Sequence, residues 1–294
     1  MQQSPKGTIT ALATPFDASG AVDFGALRAL VEWQAACGVE GICSVGTSGE
    51  SPTLSHREHI EVVEKTVEFA AGKTAIVAGS GSNSTAEAVE LTKAVAACGG
   101  CAATLQVTPY YNRPSEEGLY RHFMKVADIG LPVVLYNVPV RTGRELSIPL
   151  IARLSAHPCI VAVKEAGGKV ERVTAIKEAA PRLTVLSGDD NLALEMARRG
   201  AEGVVSVASN VIPREMGDMM RLAAAGDFEA AEKLDARYAA LFRDLFIDVN
   251  PVMAKEALAM MGKIALSLRL PLCETTPEKR EALRATLRSL GLVR

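Results

Sequence analysis

Aromatic residues are scarce in this chain of 294 residues: seven Phe, five Tyr and one Trp make up 4% of it. Only four histidines occur. The close pair His56 and His59 lacks the i, i+4 spacing that helix-borne zinc sites use, so no metal is expected and its default place is a solvated helix face. Charge of neither sign predominates, with 32 Lys and Arg against 34 Asp and Glu. The basic residues are dispersed and leave no electrostatic footprint for nucleic acid. No uninterrupted apolar stretch approaches the ~20 residues of a membrane span, and Met1 to Gly7 lacks the apolar core of a secretion signal. The dinucleotide fingerprint is missing too: Gly79-Ser80-Gly81 has no third glycine at the required spacing and reads as a tight strand-to-helix turn. What remains is a cytoplasmic type of chain without nucleic-acid or membrane partners.

Cysteine is modestly represented, at six residues. Cys37, Cys43, Cys159 and Cys273 lie singly in apolar surroundings. Cys98-Gly99-Gly100-Cys101 has the spacing of a zinc or redox half-site but no second ligand pair. Its glycines are better explained as the stop of a helix before a strand. All six are expected to be buried, reduced, structural thiols.

Against these absences stands a strong alternation. The chain is 48% hydrophobic and 22% charged, enough for a substantial core. Apolar, β-rich runs recur about every 25 to 30 residues: Gly7–Phe16, Gly41–Gly46, Thr74–Gly79, Ala102–Thr108, Pro132–Tyr136, Ile160–Lys164, Leu183–Ser187 and Gly203–Val207. Between them lie amphipathic helices. Leu54–Ala71 is opened by Ser55 with Glu58 as a capping box, and Thr85–Cys98 has Thr85 as its N-cap with Glu87 in the first turn. Eight strand–helix units predict an α/β fold, a (β/α)₈ TIM barrel, in preference to an open doubly wound sheet. The barrel occupies residues 1–225, and residues 226–294 form a C-terminal helical appendage packed on it. That region holds helices over Phe228–Phe246 and Pro251–Met261, and a last one with Thr276 as N-cap, Pro277 first and Gly291 as stop. The segment 262–275 is too apolar for a flexible linker.

Catalytic groups in such a barrel gather at the C-terminal ends of the strands. Three polar clusters fall there: Gly46-Thr47-Ser48-Gly49-Glu50, the run from Tyr136 through Arg141 to Gly143, and Val163-Lys164-Glu165-Ala166. Lys164 ends a β-branched strand among apolar neighbours, where burial disfavours an ammonium and leaves a neutral amine able to attack a carbonyl. A salt bridge to Glu165 is the bland alternative, but adjacent strand residues face opposite sides. Asp189 and Asp190, after the seventh strand, serve either to cap the next helix or to reach the pocket.

Four segments in order resemble the dihydrodipicolinate synthase family of pyruvate-dependent class I aldolases: 46–51, Thr108-Pro109-Tyr110-Tyr111-Asn112-Arg113-Pro114, 136–143 and 163–166. The resemblance covers essentially the whole chain and implies a Schiff base between Lys164 and the ketone of pyruvate, with no metal or other cofactor. The enamine formed from it attacks the aldehyde of aspartate 4-semialdehyde. Tyr136 would move protons, relayed by Thr47 and by Tyr111 from a neighbouring subunit of a homotetramer. Thr47, Ser48, Gly188 and the backbone of Val205 would hold pyruvate. The family's usual threonine is replaced by Ser48, which keeps the hydroxyl. Arg141 would clamp the second substrate's carboxylate. A lysine-inhibitor site at a subunit interface is implied by Ser51, His56, His59, Asn83, Glu87 and Tyr110. Other readings are another pyruvate aldolase, of the N-acetylneuraminate lyase or 2-keto-3-deoxy sugar acid type, and a catalytically inactive metabolite-binding barrel. Arg141 argues against the first and the intact lysine, tyrosine and hydroxyls against the second.

Overall fold

The computed structural model describes residues 4–294. Eight parallel strands close into a barrel in chain order: β1 (Gly7–Ala11), β2 (Gly41–Ser44), β3 (Ala75–Gly79), β4 (Cys101–Val107), β5 (Val133–Asn137), β6 (Ile160–Glu165), β7 (Thr184–Ser187) and β8 (Gly203–Ser206), with β8 pairing back onto β1. Alternate side chains face the lumen, where Ile9, Cys43, Val77, Leu105, Val134, Tyr136, Leu186 and Val205 pack together. The others face outward onto helices, as Val133, Leu135, Val163 and Val185 do. Both faces are dry, which is why the strands read as continuous apolar runs.

The barrel helices are α1 (Phe24–Ala36), α2 (His56–Ala70), α3 (Thr85–Cys98), α4 (Glu116–Ala127), α5 (Pro139–Thr142), α6 (Ile148–Ser155), α7 (Glu171–Ala179), α8 (Ala193–Arg198) and α9 (Pro213–Ala224). The capping box of α2 forms as expected between Ser55 and Glu58. The N-cap of α3 is Ser84, not Thr85. Thr85 is drawn elsewhere, its hydroxyl lying 2.9 Å from Nδ1 of the buried His122 on α4. Strand β1 stops at Ala11 instead of continuing to Phe16. Beyond it the Ala13 N–H donates to the Asn210 side chain, and Pro15 has no N–H to offer a ladder.

Three further helices follow, α10 (Phe228–Asp244), α11 (Val252–Met260) and α12 (Pro277–Ser289). They share one apolar core with α8 and α9, formed by Leu194, Met216, Met219, Leu241, Met253, Leu283 and Leu287 among others. Thr276 caps α12 by accepting from the Lys279 N–H, with Pro277 in the first position. Segment 262–275 is tied down: Arg269 donates to the carbonyls of Gly20 and Thr53 and to the Glu58 carboxylate at 2.6 Å.

The cysteines depart from expectation. None is paired, but only Cys43 is buried, and Cys273 is exposed. Cys43 sits within a strand, whereas Cys98 and Cys101 lie at the ends of α3 and β4, where packing from neighbours runs out. Burial nevertheless pushes the Cys101 thiol up to about 12, the reverse of what redox chemistry needs.

Candidate active site

Lys164 on β6 is in register with Tyr136 on β5 and Leu186 on β7. The pairing puts the lysine and tyrosine side by side on the lumen face, with Lys164 Nζ 4.2 Å from the centroid of the Tyr136 ring. Lys164 is 6% exposed, and no carboxylate lies within ion-pair distance of it among the described residues. Glu165 points the other way, onto the Asn137 amide at 2.8 Å and the Arg172 guanidinium at 3.0 Å. Burial pushes the Glu165 carboxyl up, opposed by Arg172 and Asn137. The adjacent-residue salt bridge is therefore absent.

Two side chains feel Lys164 at longer range. Burial raises the half-buried Asp189 carboxyl and Lys164 lowers it. The Cys43 thiol is pushed up by burial to about 11, which leaves it an inert neighbour. Gly188 fits against the lysine stem, since a Cβ there would lie 2.5 Å from Ala166 Cβ and 3.1 Å from Lys164 Cε. Val205 faces the same lumen from β8.

The turn after β2 is a built structure. Val45 and Glu50 flank it in left-handed conformations, with φ of 50° and 53°. Each costs about 1–2 kcal/mol for an L-residue and persists because the surroundings hold it. Glu50 is gripped by Lys255 of α11 and by the Arg269 N–H. The N–H groups of Thr47 and Ser48 have no acceptor among the described residues. Two adjacent free donors are what an anion requires. Lys255 is the second buried lysine of the chain. Burial lowers its affinity for the proton, and the charge of Glu50 works against that. Because it is ion-paired outside the lumen, the unpaired Lys164 is the amine suited to attack.

A cavity of about 460 Å³ opens at the C-terminal ends of the strands. Thr47, Tyr136 and Arg141 line it, and so do Ser51, His56, His59, Glu87 and Tyr110. Tyr136 also faces Lys164, linking cavity and lumen. Members of both sets named by resemblance, Thr47, Tyr136 and Arg141 of the catalytic one and Ser51, His56, His59, Glu87 and Tyr110 of the effector one, thus line the same hollow in this chain. His56 meets Glu87 at 2.7 Å, and the Ser82 hydroxyl donates to the same carboxylate. Ser82 first, then His56, holds the Glu87 carboxyl below its usual range. His59 is not on a solvated face: it is buried, with Nε2 2.7 Å from the Gly79 carbonyl. Asn83 donates to the Tyr110 carbonyl at 3.3 Å. A larger hollow of about 810 Å³, lined by Lys6, Glu40, Lys177 and Glu202, lies at the other end of the barrel and holds none of the three clusters.

Tyr111 stands apart. It is 91% exposed, held at φ 71°, and makes no hydrogen bond to Thr47 or Tyr136. Asp190 neither caps α8 nor lines the cavity. It is buried, and its Oδ2 accepts from the N–H groups of Val207 at 3.1 Å and Ala208 at 2.9 Å, tying the loop after β7 to that after β8. Asn250 escaped sequence reasoning. It bonds Ser48 with its side chain and Arg141 with its carbonyl. The only signal was an Asn-Pro pair at a helix break, which by itself reads as a turn. Among the described residues no group of three or more His, Cys, Asp or Glu side chains is arranged to hold a metal ion.

Comparison with known proteins agrees with this geometry. A 4-hydroxy-tetrahydrodipicolinate synthase of Methylococcus capsulatus is 46% identical over 290 residues, 98% of this chain and 99% of that one. The chloride-inhibited dihydrodipicolinate synthase of Acinetobacter baumannii, solved with pyruvate, superposes with a TM-score of 0.97 at 42% identity, covering 99% of this chain and 100% of that one. The enzyme of Cyanidioschyzon merolae, solved with lysine bound, gives a TM-score of 0.95 at 40% identity, with coverage of 99% and 100%. Residues 4–290 match the profile of the Dihydrodipicolinate synthetase family. With the barrel, the strand-end lysine and its tyrosine neighbour in place, the chain belongs to that family.

Proposed function

We propose that this protein is a 4-hydroxy-tetrahydrodipicolinate synthase, a lyase of the class I aldolase type that condenses pyruvate with L-aspartate 4-semialdehyde. The observation that carries this reading is the unpaired, buried Lys164 beside Tyr136 at the strand ends. Lys164 Nζ adds to the ketone carbon of pyruvate; loss of water gives a protonated imine. That imine is the electron sink: the methyl group loses a proton and the enamine carbon attacks the aldehyde. The substrate's own amine then attacks the imine carbon, closes the ring and releases Lys164. No metal is needed for these steps, because the imine supplies the polarisation.

Tyr136 moves the protons of imine formation and cyclisation. Thr47 and Tyr111 relay them, Tyr111 from a neighbouring subunit of a homotetramer built from dimers. Its exposure and the lack of any hydrogen bond to Thr47 in its own chain support that assignment. The free N–H groups of Thr47 and Ser48, with their hydroxyls, receive the pyruvate carboxylate; Gly188 and the Val205 backbone complete the cradle. Arg141, exposed at the cavity wall, clamps the carboxylate of the second substrate. Residues 1–225 form the catalytic unit and 226–294 the helical region that supports it. Among the described residues no helix is long and apolar enough to cross a membrane. The cytoplasm is the expected place of the reaction.

The experiment is reduction with borohydride in the presence of pyruvate, followed by peptide mapping. A stable adduct on Lys164 is expected; an adduct on another lysine sinks the assignment. A coupled assay offering aspartate semialdehyde or N-acetylmannosamine separates this reading from a sugar-acid aldolase. Feedback by free lysine belongs to the same proposal, with Glu87 receiving the α-amino group and Ser51, His56, His59, Asn83 and Tyr110 around it. Glu87→Ala should abolish inhibition and leave catalysis nearly intact. Indifference of the wild type to millimolar lysine would end the regulatory half alone.

A further inference from the structure

Asn250 lies between α10 and α11, far from the barrel strands in sequence, yet it is buried against the turn after β2. Its Nδ2 donates to Ser48 Oγ at 3.0 Å, while the opposite contact, from Ser48 Oγ to Asn250 Oδ1, is 3.4 Å. Its backbone carbonyl accepts from Arg141 Nη2 at 3.5 Å. One residue therefore touches both groups assigned to the two substrate carboxylates, but by different means: the side chain reaches Ser48, the backbone Arg141.

A serine hydroxyl has one proton to give and two lone pairs to fill. The shorter contact fills a lone pair with an amide N–H and leaves the serine proton free for another acceptor. We propose that Asn250 is a positioning residue: by donating to Ser48 Oγ it directs the serine proton toward the pyruvate carboxylate, which makes Ser48 a donor there. The inference rests on the reading of Ser48 given above and adds to it a polarity that only a neutral amide supplies. A carboxylate in the same place accepts the serine proton instead, and sets a negative charge beside an anion site.

The polarity gives the test. Half-saturation by pyruvate is measured from borohydride trapping on Lys164, alongside KM for aspartate semialdehyde. Asn250→Ala should raise the pyruvate constant by about threefold to tenfold, the worth of one lost neutral hydrogen bond. The isosteric Asn250→Asp should raise it further. Neither variant should move KM for aspartate semialdehyde by more than about twofold, since the contact to Arg141 is a backbone one. In a Ser48→Ala background, Asn250→Ala should add nothing. If Asn250→Asp binds pyruvate as well as wild type does, or if both constants rise together, Asn250 is only structural and the proposal is overturned. If Ser48→Ala itself leaves the pyruvate constant unchanged, the assignment of Ser48 fails and the positioning role fails with it. If Ser48→Ala raises the constant but the Asn250 variants do not, the positioning role alone is wrong.

Discussion

Glu50 and Lys255 form a fully buried ion pair although 205 residues separate them in the chain. Lys255 also donates to the Ser267 carbonyl at 2.9 Å, and Glu50 accepts from the Arg269 N–H at 3.1 Å. The pair therefore fastens the turn that carries Thr47 and Ser48 to the C-terminal helices. Lys255→Met strands the Glu50 charge, and we expect a loss of about 3–5 kcal/mol in urea unfolding. Adding Glu50→Gln, which neutralises the charge and keeps an acceptor for Arg269, should recover most of it. A double variant as unstable as the single one would show that the pair's charge is not what matters.

Gly188 packs against Lys164, the nucleophile proposed above. A methyl group at this position overlaps Ala166 and crowds the Lys164 stem. Gly188→Ala should slow imine formation by roughly tenfold to a hundredfold, the rate equivalent of about 1–3 kcal/mol of overpacking felt at the amine. Ala166→Gly in the same chain removes the nearest obstacle and should restore part of the rate. A Gly188→Ala enzyme that traps pyruvate at the wild-type rate would contradict the crowding argument.

Two buried groups should tilt stability against pH in opposite senses. Burial pushes the Asp190 carboxyl up to about 6 from its ordinary 3.8. The folded state then holds the proton more tightly, so the stability it confers is complete below about pH 4 and is lost as pH rises through about 6. Burial pulls the His122 ring down to about 4 from 6.5. Its contribution is complete above pH 6.5 and is lost as pH falls toward 4. Each change amounts to roughly 3 kcal/mol. The stability difference between wild type and Asp190→Asn should therefore fall as pH is raised from 4 to 7, and that between wild type and His122→Gln should rise. Parallel curves for either variant would refute the corresponding shift.

Arg141→Ala should impair use of aspartate semialdehyde far more than trapping of pyruvate. A charge-assisted carboxylate contact is lost outright, at about 1.5–3 kcal/mol. Equal losses in both half-reactions would point to support of the Asn250 carbonyl as the real role of Arg141.

The barrel was legible in the sequence because its signal is local: buried parallel strands are apolar on both faces, and their recurrence gives the strand number and the closed fold, though β1 ends five residues before the expected Phe16. The place of Lys164 at a strand end was legible for the same reason, a charge at the end of such a run. Other features depend on what folding brings near. Ser84 displaced Thr85 as a cap because His122, on another helix, claimed the threonine. His59 turned inward because the Gly79 carbonyl at the end of β3 offered it an acceptor. Asn250, Lys255 and Asp190 act on segments remote in sequence, and no spacing encodes that.

The Glu50–Lys255 tie also has a consequence for synthesis. At about 5–20 residues per second, roughly 10–40 s pass between the emergence of Glu50 and that of its partner. Through that interval the nascent chain carries Thr47, Tyr136 and, later, Lys164, while the left-handed turn that presents the anion donors has neither its cation nor its Asn250 contact. The ribosome thus delivers Lys164 before the clasp, and a chain cut short before residue 250 should emerge able to build much of a barrel but unable to hold a substrate in it.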